Sequence, residues 1–266
     1  MNSLGCVTPT YFKYWGKAKK DSGQDPLGYH LLPYHCLDVA AVADVWLVSS
    51  NTLLKQLSLQ LNTTRDHAKN IVLFYILLHD LGKFDARFQN FREDIRQQLQ
   101  GEAWLEPDLT YYSHGSFGYK HFCNEHDTNA AMQAVAGHHG SCDLSINYSE
   151  PDTDDWVIEL DENARQEWIN FSLKFCKLDE IPSVGEIPML AGLCSVADWV
   201  GSSITNFTID PLLDLNDYFQ QALPRAKAAL LETGVIEKQQ GAGFEFLFSP
   251  YQPRGIQTLL SDMPLT

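Results

Sequence analysis

The sequence contains no run of 18 apolar residues, no cysteine pair at C-x-x-C spacing, no internal repeat and no low-complexity tract. The first absence excludes an apolar segment long enough to span a membrane as a helix. The N-terminal stretch MNSLGCVTPTYFKYWGKAKK has no apolar h-region ahead of a small-residue cleavage site, so the expectation is a cytoplasmic chain with no secretory signal. The cysteines, at positions 6, 36, 123, 142, 176 and 194, are scattered. They are expected to be reduced thiols, several of them small core residues, rather than a disulfide framework. Basic charge is also scarce: 19 Lys and Arg face 34 Asp and Glu, a net charge of -15. Proteins that grip nucleic acid over their whole surface are usually basic, because phosphate neutralisation supplies much of the affinity. A nucleic-acid role here must therefore use a local site, bound cations, or a basic partner or domain. The acidic stretches 150–156 and 159–163 read as solvated loop and helix-start residues.

The chain is 266 residues long, enough for one large domain or for one domain with an appendage. Its periodicity is mostly helical, which makes the expected fold class all-α. Residues 32–49 carry Pro33 near their start and apolar residues at helical spacing. Thr64 is placed to cap a helix over 65–79 whose apolar residues cover most of its circumference, as in a central buried helix. Further helices are expected over 85–99, 116–125, 128–137, 159–176, 187–200 and 214–232, with loops at 101–111 and 140–151. From residue 241 the texture changes. AGFEFLFSPYQP (242–253) suggests a short strand or hairpin, and the division expected is a domain over 1–240 followed by a linker and boundary over 241–266.

The chemistry lies in two sharply marked contexts and three supporting ones. LLHDLGKF (77–84) places His79 and Asp80 at the end of an apolar helix, where a buried carboxylate asks for a compensating cation. Lys83, three residues after Asp80, reaches the same place. AVAGHHGS (134–141) sets His138 and His139 between glycines, which leave room for an ion, water and substrate. His35 in YHCLDVA, His114 in YSHGSFG and Asp198 in LCSVADWVGSS complete the set. Each alone has an ordinary explanation as a core histidine, a helix-cap neighbour or a helix-internal acid. The joint order H…HD…H…HH…D is hard to obtain by chance. This mixture of nitrogen and carboxylate suits Mn, Fe, Co, Ni or Zn better than Mg or Ca. A carboxylate can bridge two cations about 3.5–4 Å apart, a pairing that activates water and clamps phosphoryl oxygens. His30, His67, His121 and His126 are assigned surface or structural roles.

This ordered set resembles the HD superfamily of metal-dependent phosphohydrolases. The flanking segments narrow the likeness: YWGKA (14–18), HLLPYHCLDVAAVAD (30–44), LHDLGKFDARFQ (78–89), SHG (113–115), GHHG (137–140) and LAGLCSVADWVGS (190–202). Together they resemble the HD nuclease domain of the CRISPR-associated helicase–nuclease of type I systems, closest to subtype I-E, over roughly residues 11–260. PRGIQ (253–257) resembles the glutamine motif that opens the helicase part, but no G-x-x-x-x-G-K-[ST] phosphate loop is present. The expectation is a nuclease domain whose helicase lies elsewhere, in the same or a partner chain.

The resemblance implies degradation of single-stranded DNA displaced by a crRNA-guided surveillance complex. It implies two divalent transition-metal ions, with Mn, Fe, Co or Ni foremost and Mg the lesser choice. One would be held by His35, His79, Asp80 and Asp198. The other would be held by Asp80, His114, His138 and His139, so that Asp80 bridges. Asp80 and Lys83 are then the catalytic residues, with Lys83 near the scissile phosphate. Ser202 and Ser203 are candidates to touch the DNA backbone. Two other classes fit the metal residues alone: an HD phosphohydrolase acting on nucleotides or cyclic nucleotides, and a metal-stabilised docking module.

Overall fold

Helix α1 (Leu32–Ser49) is apolar on every side, and a helix of that kind must be enclosed by others. The computed structural model describes residues 8–19, 28–105, 112–140, 142–145, 150–204 and 213–236, with Pro250, Gln252, Arg254 and Gly255. Every residue from Leu32 to Ala43 is buried. Around α1 pack α3 (Arg65–Leu77), α9 (Leu190–Ser203) and α10 (Leu215–Glu232). A second group of helices packs on this first layer: α7 (Ala130–Ala136) against α3 and α9, α6 (His114–Glu125) against α7, and the long α8 (Asp155–Phe175) against α3. The short α2 (Asn51–Gln60), α4 (Ala86–Gln89) and α5 (Glu93–Gln100) fill the connections. The fold class is all-α, as expected. Among the described residues no single helix is long and apolar enough to cross a membrane; α1 and α2 would pass such a test only together, and they meet at a 98° bend.

The Thr64 cap and the free thiols correspond to expectation, and the structure adds caps by Asp214, Asn129 and Ser113. Thr64 caps α3 by accepting from the amide of His67, and Asp214 caps α10 from the amides of Asn216 and Asp217. Asn129 and Ser113 cap α7 and α6. The described cysteines, Cys36, Cys123, Cys142, Cys176 and Cys194, are free thiols. Helix ends differ by a few residues, and three departures from expectation stand out. The helix expected over 85–99 is broken into α4, a 3-10 turn at Asn90–Arg92 and α5. There Asp85 caps α4, Asn90 accepts from the Arg96 side chain, and Arg92 donates to the Asp94 carboxylate. Helix α8 begins four residues early, with Asp155 in its first turn, where a negative charge complements the helix dipole. Asp161, expected to be solvated, is instead buried, accepting from the Tyr14 hydroxyl at 2.6 Å and the Ala86 amide at 2.7 Å.

A two-stranded antiparallel ribbon, β1 (Trp15–Ala18) and β2 (Tyr29–Leu31), packs on α1. It was not expected from strands this short. The hairpin expected over 242–253 lies outside the described residues apart from Pro250 and Gln252, and so does the proposed boundary beyond 240.

Polar residues on a helix as enclosed as α1 need partners. Asp38 has them within the fold. Its carboxylate lies 3.0 Å from His30 Nε2, accepts from the Tyr218 hydroxyl at 3.0 and 3.1 Å, and from Arg225 at 3.3 Å. This cluster ties α10 to α1. Asp38→Ala is therefore expected to destabilise the protein by about 3 kcal/mol, because Arg225 loses its carboxylate partner and the buried His30 and Tyr218 keep only their 3.3 Å contact with each other. A lowered denaturant midpoint at unchanged slope would show it. His35, one turn away on the same helix, has no such hydrogen-bonded partner.

Candidate metal centre

Helix α3 ends at Leu77, two residues before His79, so the histidine and aspartate lie in the turn rather than on the helix. His79 Nδ1 donates to the carbonyl of Ile76 at 2.8 Å. At the end of α7, His138 Nδ1 donates to the carbonyl of Val135 at 2.7 Å. A carbonyl only accepts, so in both rings the proton sits on Nδ1 and the Nε2 lone pair is aimed away from the backbone. Backbone carbonyls used in this way fix the tautomer and orientation of metal-binding imidazoles. The two helix ends thus present their histidines in the same manner.

These rings converge on two buried carboxylates. Asp80 Oδ2 lies 3.1 Å from His35 Nε2, 3.2 Å from His79 Nε2 and 2.6 Å from Lys83 Nζ. Asp80 Oδ1 lies 3.3 Å from His114 Nε2 and 3.9 Å from His138 Nε2. Asp198, on α9, is 3.3 Å from His35 and 4.0 Å from His138. Despite this crowding, Nε2 of His35, His79, His114 and His138 and both oxygens of Asp80 make no hydrogen bond of acceptable geometry. Orphaned buried atoms are rare in folded proteins, and their convergence fits a cation at the point on which they converge. Among the described residues two separate sets meet the spacing of a metal site: His35, His79 and Asp80, and His114, His138 and His139. All seven ligand candidates are thus brought together. His139 is the exposed one, its ring 5.1 Å from that of His114.

The electrostatics match this donor set. Burial lowers His35, and it takes His114 and His138 down to about 3, so these imidazoles are neutral at pH 7. Burial alone would raise the Asp80 carboxyl. The proximity of His79 and Lys83 and the contact with His35 outweigh it and hold Asp80 well below the usual carboxylate range. Asp198 is likewise held down against burial by its contact with His35.

Ser202 and Ser203 separate in role. Ser202 donates to Asp198 Oδ1 at 3.1 Å, whereas Ser203 donates back to the carbonyl of Val200 in its own helix. Of the other histidines, His30 pairs with Asp38 and His121 Nε2 lies 3.0 Å from Asp85, which also holds Arg87; His67 is exposed and His126 half-buried.

Three residues on one face of α8, spaced by four and three, clamp the segment that carries the dyad. Asp161 accepts from the Ala86 amide, Arg165 donates to the Phe84 carbonyl at 2.6 Å, and Trp168 Nε1 donates to the Leu77 carbonyl at 2.9 Å. From the opposite side Gln89 pins β1 to the same segment, accepting from the Trp15 amide and donating to the carbonyls of Trp15 and Lys83. Sequence reasoning did not identify this support. The spacing along α8 was its only signal, since the partners lie about 75 to 90 residues away.

A groove of about 490 Å³ opens beside the centre. It is lined by β1 and the following Lys19 together with Lys83, Phe88, Arg92, His114 and His139. In a chain of net charge -15 this groove gathers cationic side chains beside aromatic ones, the combination that single-stranded nucleic acid uses.

Comparison with known proteins agrees with this architecture. The family model described as "Cas3, HD domain" matches residues 15–207. The CRISPR-associated endonuclease/helicase Cas3 of Escherichia coli (strain K12) is 30% identical, over 95% of this chain and 33% of that protein. The chain thus spans about a third of the length of this curated relative. The Thermus thermophilus Cas3 HD domain, crystallised in the presence of Ni2+, matches with a TM-score of 0.55 at 24% identity, covering 79% of this chain and 89% of that one. A chain of a CRISPR RNA-guided surveillance complex in a pre-nicking state matches with a TM-score of 0.64 at 20% identity, covering 88% and 30%. With the family model covering most of the chain, and the ligand residues of an HD site gathered at one centre, the protein belongs to the Cas3 HD-domain family.

Proposed function

We propose that this domain is a metal-dependent nuclease that hydrolyses phosphodiester bonds of single-stranded DNA in type I CRISPR interference. The observation that carries the reading is the convergence of four orphaned imidazole nitrogens on Asp80 and Asp198 beside a groove lined with lysines. His35, His79, Asp80 and Asp198 would hold one divalent cation, and Asp80, His114, His138 and His139 a second, with Asp80 common to both. Mn, Fe, Co or Ni suits these ligands. When bound, the ions supply Lewis acidity, lowering the pKa of water and neutralising charge on the phosphoryl oxygens.

The chain's own residues do the rest. Neutral imidazoles offer lone pairs without competing for protons. Asp80 and Asp198 stay ionised at neutral pH. Lys83 brings an ammonium group to the point where phosphoryl charge would develop. Ser202 orients Asp198, and a backbone contact by Ser203 remains part of the proposal. The helicase activity named for the Escherichia coli relative supports a motor in the same or a partner chain that feeds the strand to this groove. The likeness to a chain of a surveillance complex supports such a complex as the partner, with residues 1–240 as the nuclease unit and 241–266 leading to the helicase. The proposed setting is the cytoplasm.

The test compares circular single-stranded DNA with deoxynucleoside triphosphates as substrates in Mn2+, Co2+ or Ni2+. Cleavage of the circle with no nucleotide hydrolysis is expected, and the reverse would replace this reading with a nucleotide phosphohydrolase. Chelation by EDTA is expected to stop cleavage and to lower Tm, because ions that bind only the folded chain stabilise it by mass action. Added Mn2+ should reverse both.

A further inference from the structure

Strand β1 approaches the centre through an irregularity. Trp15 pairs with Leu31 and Lys17 pairs with His30, so Gly16 is the extra residue of a bulge. Bulges re-aim the following side chain and are common beside active sites. A side chain at Gly16 would meet Leu32 Cα at 3.0 Å and His35 Cβ at 3.1 Å, so glycine lets the strand lie directly on α1 at the metal-ligand histidine. The bulge brings two cations inward. The Gly16 carbonyl accepts from Lys83 Nζ at 3.3 Å, and Lys17 Nζ reaches 3.5 Å from Asp198 Oδ1. Gln89 fixes the strand at Trp15 on both its amide and its carbonyl, so the position of Lys17 is built in.

Lys17 differs from Lys83 in one respect. The Lys83 side chain is 5% exposed and enclosed with Asp80, whereas that of Lys17 is 28% exposed and lines the groove. Its ammonium therefore touches the centre on one side and is open to a substrate on the other. Asp198 also has His35 and Ser202 beside it, and a cation held at the centre would neutralise it further. An anion in the groove is then the partner left for Lys17.

We propose that Lys17 Nζ binds a phosphate oxygen of the substrate strand where it enters the centre, as a second phosphate-binding lysine opposite Lys83. The inference rests on the nuclease reading above. It is tested with Lys17→Ala and Lys17→Arg in the whole chain. Three quantities are measured: steady-state cleavage of single-stranded DNA in Mn2+, anisotropy of a labelled oligothymidylate in EDTA over a salt series, and bound metal by mass spectrometry.

Lys17→Ala is expected to raise KM and Kd about tenfold and to make the log–log salt slope shallower by about 0.7, one phosphate contact on a single strand. Metal content and kcat should change little, and Lys17→Arg should restore most of the affinity. An unchanged KM and salt slope would overturn the proposal while leaving the nuclease reading intact. Loss of metal in Lys17→Ala would also overturn it, because Lys17 would then serve Asp198 alone. If the wild-type chain does not cut single-stranded DNA, the nuclease reading fails, and the same variants are read on bis(p-nitrophenyl) phosphate. There a raised KM supports phosphate binding by Lys17 and an unchanged KM overturns it.

Discussion

Asp80→Ala is expected to reduce cleavage of single-stranded DNA by about three orders of magnitude or more, because it removes the one carboxylate proposed to serve both cations. The loss should appear in kcat, with the affinity for DNA in EDTA nearly unchanged, since the groove walls remain. A second effect separates this residue from an ordinary surface acid. Asp80 sits among His35, His79, His114 and the buried Lys83 ammonium, whose carboxylate partner at 2.6 Å it is. Removing it strands Lys83 in a buried site, so the metal-free variant should lose about 3 kcal/mol of stability. Asp80→Asn keeps the volume and should lose activity to the same degree, which assigns the defect to charge. Cleavage undiminished in either variant would point to a contaminating nuclease or to a docking role for the domain.

Gly82→Ala is the second substitution with a large expected effect, and it acts through packing. A Cβ at Gly82 would fall on the His114 carbonyl and lie 2.7 Å from the Gly118 amide nitrogen, both backbone atoms of α6. Backbone cannot swing aside as a flexible side chain does, so the turn after the dyad and the start of α6 must separate. The expected cost is about 2–4 kcal/mol, within the range of severe overpacking. Because His114 heads α6 and Asp80 precedes Gly82, the same displacement should loosen the set His114, His138 and His139 more than the set His35, His79 and Asp80. Thermal denaturation would report the first effect, and metal titration by calorimetry the second, as loss of one of two binding events. A variant with wild-type Tm and two intact events would contradict the close approach.

Most of the residues that gather at the centre were legible in the sequence because they carry a local sign. His79 and Asp80 end an apolar helix, His138 and His139 stand between glycines, and Asp198 interrupts an apolar run. Capping by Thr64 was legible for the same reason, since its side chain and the His67 amide it accepts from lie within three residues. What could not be read depends on distant pairings. The ribbon has strands of four and three residues, too short for an alternating pattern, and its Gly16 bulge exists only in the pairing with β2. Lys17 stood inside the quoted segment YWGKA without an assigned role, because its contact with Asp198 spans the chain. Asp161 lay in an acidic run that by composition belongs in solvent, yet the amide of Ala86 and the hydroxyl of Tyr14 need it as an acceptor. Charge runs report average surroundings, and one member can be turned inward by a helix face.

Anomalous diffraction from crystals grown with Ni2+ or Mn2+ tests the central claim most directly. The expected map has two peaks about 3.5–4 Å apart, both in contact with Asp80. One should be ligated by His35, His79 and Asp198, the other by His114, His138 and His139. Peaks confined to other sites, or a fully loaded protein with no ion against Asp80, would contradict the account.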